Sequence, residues 1–181
     1  MNRKFKIFCV ILYPIFYILW FDTGSTQHYF QLLEQRYYGS SVTVNGKLWI
    51  TGGQNEQGKH LNSTEFISPG QPMAIKGPNL PFGISNHTMV QVNSKAVFII
   101  GGYQYYGIES KKTWIVDPNN LYRNMFDIKE GPDMNLARIR HSCNKMEING
   151  KTYLVVAGHK NEDFIEILDP ESPEEGWIIG L

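Results

Sequence analysis

Histidines, cysteines and two repeated aspartates are the side chains whose chemistry could support catalysis or metal binding. The five histidines are His28, His60, His87, His141 and His159, and no two of them form an HxH or HExxH spacing. Zinc sites use such pairs or CxxC pairs, and Cys9 and Cys143 form neither. Asp117 and Asp169 each precede a proline, which is typical of turn residues. We therefore expect no catalytic residue, no metal site and no cofactor.

Two glycine pairs, Gly52-Gly53 and Gly101-Gly102, could in principle cradle a phosphate. A phosphate cradle places more widely spaced glycines between a strand and a helix, and no helical pattern follows either pair. The pairs instead indicate sharp turns where another part of the backbone approaches closely.

Composition limits the classes of partner. The chain has 181 residues with 17 basic and 17 acidic side chains, so it has no net charge that would attract nucleic acid. Aromatic residues make up 13% and charged residues 19%, which favours a β-rich globular domain with a sizeable core. Cys143 is expected to be a small buried hydrophobe, with a reactive thiol as the alternative.

The N-terminal 25 residues resemble a secretory leader. Arg3, Lys4 and Lys6 precede an apolar run over residues 7–21, which is about the length of a signal-peptide core and short for a membrane span. We expect a signal peptide cleaved after Ser25, so that the protein is secreted or lumenal. An uncleaved signal anchor, which would attach the protein to a membrane, and a buried helix are the alternatives.

In the secretory pathway two sequence triplets would be acceptors for N-glycosylation. They begin at Asn62 (NST) and Asn86 (NHT). The chain is therefore expected to be a glycoprotein if the leader is functional.

Three similar stretches recur at a period of roughly fifty residues, which suits propeller blades. They are SSVTVNGKLWITGG, HTMVQVNSKAVFIIGG and HSCNKMEINGKTYLVVAGH. Each reads as a strand, a two-residue turn, a second strand and a glycine terminus, with turns at Asn45-Gly46, Asn93-Ser94 and Asn149-Gly150. Each continues with a polar loop, a third strand that ends at Pro69, Pro118 or Pro170, and a short outer strand. The pattern predicts four antiparallel strands per unit.

These units resemble the kelch repeat, which has a glycine pair after its second strand, spaced aromatics and an arginine-histidine lead-in. The structural kelch glycines are then Gly52, Gly53, Gly101, Gly102 and Gly158, with Ala157 replacing the first glycine of the third pair. Arg138 and His141 match the lead-in, and His87 is a partial echo. Trp177 occupies the position of the tryptophan that kelch repeats have in the outer strand. The first two units have Ala74 and Phe126 near that position instead.

The resemblance implies an all-β fold, a partial kelch-type β-propeller of three four-stranded antiparallel blades in an open arc. We expect residues 26–35 to connect the signal peptide to the first blade, and the blades to span residues 36–80, 81–135 and 136–181. Three blades do not close a ring, so we expect a portion of a longer propeller, with blades supplied by another chain as the alternative. Open blade edges would be surfaces for association.

Most of the remaining candidate residues are expected to have packing roles. His87 and His141 are expected to bond backbone groups of the neighbouring blade, and Arg138 and Arg140 to form inter-blade hydrogen bonds. Trp49, Trp114 and Trp177 are expected in the core between blades. The candidate binding loop contains Tyr103, Tyr105 and Tyr106, with packing against the adjacent loop as an equal alternative.

The resemblance implies a non-catalytic scaffold that binds a protein partner, and the N-terminal leader indicates that it does so in the secretory pathway or outside the cell. One alternative is an intracellular kelch adaptor fragment that recruits substrates to a ubiquitin ligase. A second is a fragment of a kelch-like sugar-active enzyme or copper oxidase, although no ligand cluster supports it.

Overall fold

The computed structural model describes residues 6–12, 15–21, 27–104, 107–121, 127–159 and 163–180, and the described residues are almost entirely β-strand and loop. Three four-stranded antiparallel sheets form the body of the molecule. Blade 1 contains β4 (Ser40–Val44), β5 (Lys47–Thr51), β6 (Thr64–Ile67) and β7 (Ile75–Lys76). Blade 2 contains β9 (Thr88–Asn93), β10 (Ala96–Ile100), β13 (Thr113–Val116) and β14 (Ile128–Glu130). Blade 3 contains β15 (Ser142–Ile148), β16 (Lys151–Ala157), β17 (Ile165–Leu168) and β18 (Ile178–Gly180).

The first hairpin of each blade bends where its turn residues allow positive φ. Asn45 and Gly46 have φ of 49° and 73°, and Asn149 and Gly150 have φ of 52° and 77°. These are the conformations of a type I′ turn, which matches the twist of the flanking strands. In blade 2, Asn93 pairs with Ala96, so the two-residue loop is Ser94-Lys95 and not Asn93-Ser94 as predicted. Asn93 caps this loop by accepting the Lys95 N–H at 2.8 Å.

The third strand of blades 2 and 3 ends in a hydrogen-bonded turn at the predicted proline. The carboxylates of Asp117 and Asp169 accept backbone N–H groups two residues on, from Asn119 at 2.9 Å and Glu171 at 3.0 Å. Both aspartates therefore act as turn residues.

The blades stand side by side with their first strands adjacent. β9 lies against β4 on one side and β15 on the other. One apolar core fills the space between blades 1 and 2 and includes Trp49, while a second between blades 2 and 3 includes Trp177. Trp114 packs against the first core. The predicted partial propeller of three four-stranded blades is confirmed, and in the described residues the sheets do not close into a ring.

A backbone relay links the three blades just before their first strands. Tyr38, Asn86 and Arg140 have positive φ of 59°, 56° and 52°. The N–H of Asn86 donates to the carbonyl of Tyr38 at 2.8 Å, and the N–H of Arg140 donates to the carbonyl of Asn86 at 3.2 Å. Each left-handed residue of blades 2 and 3 thus hydrogen-bonds to the equivalent residue of the preceding blade.

The segment before blade 1 covers that blade's outer side. Gln31 forms a parallel bridge with Met73, and Phe30 packs with Ile67 and Ala74 in a third apolar cluster. Ala74 stands where blade 3 has Trp177, because the residues that follow them, Ile75 and Ile178, are equivalent in their registers. Phe30 therefore supplies the bulk that the alanine lacks.

The N-terminal residues form a separate antiparallel sheet of β1 (Lys6–Leu12), β2 (Ile15–Phe21) and β3 (Gln27–Tyr29). Residues 6–12 and 15–21 are strands, so the helical alternative for this run is wrong. Ser25, the predicted cleavage position, lies outside the described residues. Across the described ranges, no helix has both the length and the apolarity to span a membrane.

A small sheet absent from the sequence prediction forms in the polar loop of blade 2. It consists of β8 (Ile84–Ser85), β11 (Tyr103–Gln104) and β12 (Ile108–Glu109), in the order β12-β11-β8. It connects the loop that contains the candidate tyrosines to the lead-in of the same blade.

Candidate interaction surface

The first glycine after the second strand lies against the following blade. Gly101 has φ of 62°, and a Cβ added there would lie 2.7 Å from the carbonyl oxygen of Arg138 and 2.7 Å from Cε1 of His141. A Cβ at Gly52 would overlap the carbonyl oxygen of Ile84 in the same way. A side chain at either position would therefore push two blades apart.

Strand register places a histidine at the second glycine position of blade 3. Ser142 pairs with Ala157, as Thr88 pairs with Ile100 in blade 2. Gly158 is therefore equivalent to Gly101, and His159, with φ of 138°, is equivalent to Gly102. The sequence alignment that put Ala157 in the third glycine pair was one residue out of register, since the hairpin of blade 3 is longer.

The second glycine donates its N–H across the blade junction. Gly53 donates to the carbonyl of Ile84 at 2.7 Å, and Gly102 donates to the carbonyl of Arg138 at 2.8 Å. These bonds also show that Ile84 in blade 2 is equivalent to Arg138 in blade 3.

Two histidines fasten adjacent blades through threonine hydroxyls. Nε2 of His87 lies 2.8 Å from Oγ1 of Thr51, and Nε2 of His141 lies 2.9 Å from Oγ1 of Thr88. The expected partners were backbone groups of the neighbouring blade. The observed side-chain partners are threonine hydroxyls, and His141 also has a backbone hydrogen bond to Ile100 of blade 2. Gly39 stands at this position in blade 1 because it precedes β4 as the histidines precede β9 and β15.

Burial keeps both histidines neutral. Burial is the main cause that lowers the pKa of His87 to about 3, with the nearby His141 adding to the effect. Burial, followed by the positive charge of Arg138, lowers the pKa of His141 to about 4. At neutral pH these side chains therefore act as hydrogen-bonding groups rather than as proton-transfer groups.

A buried arginine-glutamate pair recurs in blades 1 and 3. Arg36 forms an ion pair with Glu65, and Nη1 of Arg36 donates to the carbonyl of Gly52 at 2.7 Å. In blade 3, Nε of Arg138 donates to Glu166 at 3.1 Å and Nη1 donates to the carbonyl of Gly158 at 2.8 Å. We call each pair a clasp.

Backbone N–H groups complete each clasp. Glu166 accepts N–H groups from Asn135 at 2.6 Å and Leu136 at 3.3 Å, and Glu65 accepts those of Leu33 at 2.7 Å and Glu34 at 3.1 Å. Because the carboxylates have several donors, the buried charges are both paired and hydrogen-bonded.

Blade 2 has apolar residues in place of the clasp. Ile84 replaces the arginine, and Trp114, which pairs with Ile99 as Glu65 pairs with Ile50, replaces the glutamate. Trp114 packs on Phe82 with ring centroids 4.6 Å apart. Leu33 and Asn135 donate their N–H groups to the clasp glutamates, and Pro81 occupies the equivalent position in blade 2. Because proline has no N–H group, the loss of the glutamate in blade 2 leaves no donor unsatisfied there.

The clasp changes the expected role of the arginine lead-in. We predicted that Arg138 forms hydrogen bonds between blades. Its side chain instead donates to Glu166, Gly158 and Phe164, which all belong to blade 3. Its backbone carbonyl and the N–H of Arg140 make the inter-blade contacts instead.

The loops after β5, β10 and β16 lie within residues 52–63, 101–112 and 158–164, and we call their described residues the loop rim. The His60 ring lies edge-on to the Tyr103 ring at 6.1 Å, and Nδ1 of His60 lies 3.0 Å from Oγ of Ser85. Partial burial lowers the pKa of His60. Blade 1 therefore contacts the tyrosine loop of blade 2.

The loop rim continues from blade 2 to blade 3. Nε2 of His159 lies 3.4 Å from a carboxylate oxygen of Glu109. Between these contacts Ile108 is 66% exposed, the highest value among the exposed large apolar side chains of the described residues. Tyr105 and Tyr106 lie outside the described residues, whereas Tyr103 is half-buried.

Sequence reasoning missed His60, Glu109 and His159 as rim residues. Their contacts join loops about fifty residues apart, so no local pattern marks them. The longer hairpin of blade 3, which shifts His159 to a glycine position, is the one feature of the sequence that could have marked a rim residue.

The remaining candidate residues have distinct environments. Asn62 is exposed and its amide donates to the Leu80 carbonyl at 3.2 Å, whereas Asn86 is half-buried and its amide donates to Oγ of Ser85 at 3.1 Å. Cys143 is buried, and burial raises the pKa of its thiol to about 12. Its thiolate is therefore negligible at neutral pH.

In the part of the chain that the structure describes, no three His, Cys, Asp or Glu side chains form a group that could hold a metal ion. The described histidines of the blades are instead spread over the two blade junctions and the loop rim.

Comparison with known proteins supports the repeat assignment. Residues 35–71, which include β4, β5, β6 and the Arg36–Glu65 clasp, match the family model of the kelch motif. No curated protein matches the chain. The prediction of a kelch repeat is confirmed over residues 35–71, and this motif indicates a protein-interaction scaffold in general.

Proposed function

We propose that the chain is a non-catalytic scaffold that binds a protein partner through its loop rim, in the secretory pathway or outside the cell. The single observation behind this proposal is the construction of the rim. Ile108 is 66% exposed on a short hairpin that is held between the His60–Tyr103 contact and the Glu109–His159 contact. Exposed apolar and aromatic side chains on loops of a rigid scaffold suit protein recognition.

The proposed lack of catalysis is supported by the roles of the buried polar groups. His87 and His141 bond threonine hydroxyls at blade junctions, and the arginine-glutamate clasps order the lead-in segments. Each of these side chains has at least one structural partner, although Nδ1 of His87 and of His141 is buried without one.

Photo-crosslinking tests the rim as a binding surface. A benzophenone amino acid would replace Ile108 in the chain secreted from cultured cells, and the matched control would replace Ile75, which is 50% exposed on the outer edge of blade 1. We expect discrete adducts from position 108 that disappear in a Tyr103→Ala background. The same adducts from position 75 would contradict the proposal.

Translation with microsomes tests the proposed compartment. We expect a shortened product that carries a glycan at Asn62, because this side chain is exposed and its acceptor triplet is intact. The matched control is Thr64→Ala, which removes the acceptor triplet of Asn62 and leaves that of Asn86. An unprocessed product outside the microsomes would contradict a lumenal location.

A further inference from the structure

The loop rim contains two hairpins of the same construction, one in blade 1 and one in blade 2. The bridge between Gln54 and His60 closes the first hairpin, and the pair of Tyr103 and Glu109 closes the second. The residues of each closing pair are six positions apart, so the two hairpins are equal in length. His60 and Glu109 are therefore equivalent, as the last residue of each hairpin.

This last residue contacts the next blade through its side chain. Nδ1 of His60 lies 3.0 Å from Oγ of Ser85 in blade 2, and a carboxylate oxygen of Glu109 lies 3.4 Å from Nε2 of His159 in blade 3. The first contact joins an imidazole to a hydroxyl, whereas the second joins an imidazole to a carboxylate. Of these two contacts, the second therefore becomes an ion pair when its imidazole binds a proton.

The ring of His159 is placed so that both of its nitrogens can donate. Its Nδ1 lies 3.3 Å from the backbone nitrogen of Ile139 and 3.4 Å from the carbonyl oxygen of the same residue. A neutral imidazole has one N–H, which can bond Glu109 while Nδ1 accepts the N–H of Ile139. A protonated imidazole has two and can donate to the carboxylate and to the Ile139 carbonyl together. Its bond to the carboxylate is then charge-assisted and stronger.

The other ionisable groups of blade 3 near this ring do not change charge close to neutral pH. His159, Arg138 and Glu166 all act on the charge of His141, so the four groups share one environment. Glu166 compensates Arg138 at 3.1 Å, and the pKa of His141 is lowered to about 4, so His141 stays neutral at about pH 6. The charged residues within 160–162 lie outside the described residues.

We propose that the contact between Glu109 and His159, which we call the latch, holds the rim hairpin of blade 2 against blade 3 in a pH-dependent way. Acidification from about pH 7.5 to about pH 6 adds a proton to His159, strengthens its bond to Glu109 and orders the hairpin that presents Ile108. This regulation rests on the proposed function of the rim, because it acts on the surface assigned there to the partner. A protein partner then binds at Ile108 more strongly at acidic than at neutral pH.

His60 provides an internal control, because it occupies the equivalent place in blade 1 without a carboxylate partner in the described residues. Its ring contacts are the Ser85 hydroxyl, the Gln54 amide and the Tyr103 ring. Burial also lowers the pKa of His60, so its protonation is disfavoured. Acidification should therefore not tighten the contact between blades 1 and 2.

Hydrogen exchange of the full chain measures the latch. Exchange rates are divided by the intrinsic rate at each pH, and strand β10 serves as the reference for global unfolding. We expect the protection of residues 107–110 to rise at least about threefold from about pH 7.5 to about pH 6. The variants His159→Gln and Glu109→Gln should each abolish this rise, whereas the matched variant His60→Gln should keep it. Protection that does not rise in the unmodified chain, or a rise that persists in His159→Gln, would overturn the proposal.

Photo-crosslinking from position 108 separates the latch from the binding role of the rim. We expect more adducts at about pH 6 than at about pH 7.5, and we expect His159→Gln to remove this difference. Equal yields at both pH values would overturn the regulation and leave the proposed function standing. The absence of adducts at both pH values, together with a rise in protection, would support the latch and contradict the proposed function.

Discussion

Breaking the clasp of blade 3 should destabilise the protein by an amount that a surface ion pair cannot reach. The side chains of Arg138 and Glu166 are both fully buried and lie 3.1 Å apart. The variant Glu166→Leu removes the acceptor of the Arg138 Nε and of the Asn135 and Leu136 N–H groups. An uncompensated charge of this kind costs about 3–5 kcal/mol of unfolding free energy.

The double variant shows whether the cost comes from the pair. Arg138→Met alone leaves Glu166 buried with backbone donors and the Asn135 amide, and we again expect a loss of about 3–5 kcal/mol. Arg138→Met with Glu166→Leu leaves no buried charge, as in blade 2, so its cost should be close to that of one single variant. The coupling free energy would then equal the cost of one single variant, about 3–5 kcal/mol.

Urea unfolding followed by circular dichroism measures these differences. Lys112→Met is the matched control, because Lys112 pairs with Asp133 at 3.2 Å with side chains that are 41% and 31% exposed. Water screens such a pair, so we expect its loss to have little effect on stability. If Arg138→Met unfolds within about 1 kcal/mol of the unmodified chain, or if the two single costs simply add, the clasp does not stabilise the blade as argued.

Three further predictions concern the pH dependence of stability, the close packing around Gly101 and the reactivity of the Cys143 thiol. The pKa is about 3 for His87 and about 4 for His141 in the folded protein, so the unfolded state binds more protons between these values and about 6.5. The unfolding free energy is therefore highest above about pH 6.5, and at about pH 5 it should be lower by about 2 kcal/mol for each histidine. An unfolding free energy that stays constant from about pH 7 to about pH 5 would contradict this. Gly101→Ala should cost more than Gly46→Ala in thermal unfolding, since both have positive φ but only Gly101 is crowded; equal costs would exclude blade crowding. Cys143 should react with a thiol reagent only at the rate of unfolding or opening, and fast labelling of the folded protein would refute its burial.

Local chemistry explains which parts of the fold the sequence could predict. Asn45-Gly46 and Asn149-Gly150 favour positive φ at both turn positions, so those hairpins bend where expected. Asn93 lacks a following glycine, and the turn forms one residue later with Asn93 as a cap. The third strands also form where the prolines predicted their ends.

The candidate surface was harder to predict because its contacts are long-range. The two residues of each clasp are 28 or 29 positions apart, and only the pairing of strands aligns them. His159 likewise acquires its position from the length of its hairpin. The sequence comparison therefore placed the third glycine pair one residue too early, at Ala157-Gly158 instead of Gly158-His159.

The left-handed residues Tyr38, Asn86 and Arg140 have one more consequence. Main-chain atoms alone make the link between successive sheets at this point, so the attached side chain is free to differ from one repeat to the next. An aromatic ring, an amide and a guanidinium accordingly occupy equivalent sites. These positions can therefore carry different side chains while the backbone hydrogen bonds between successive sheets are kept.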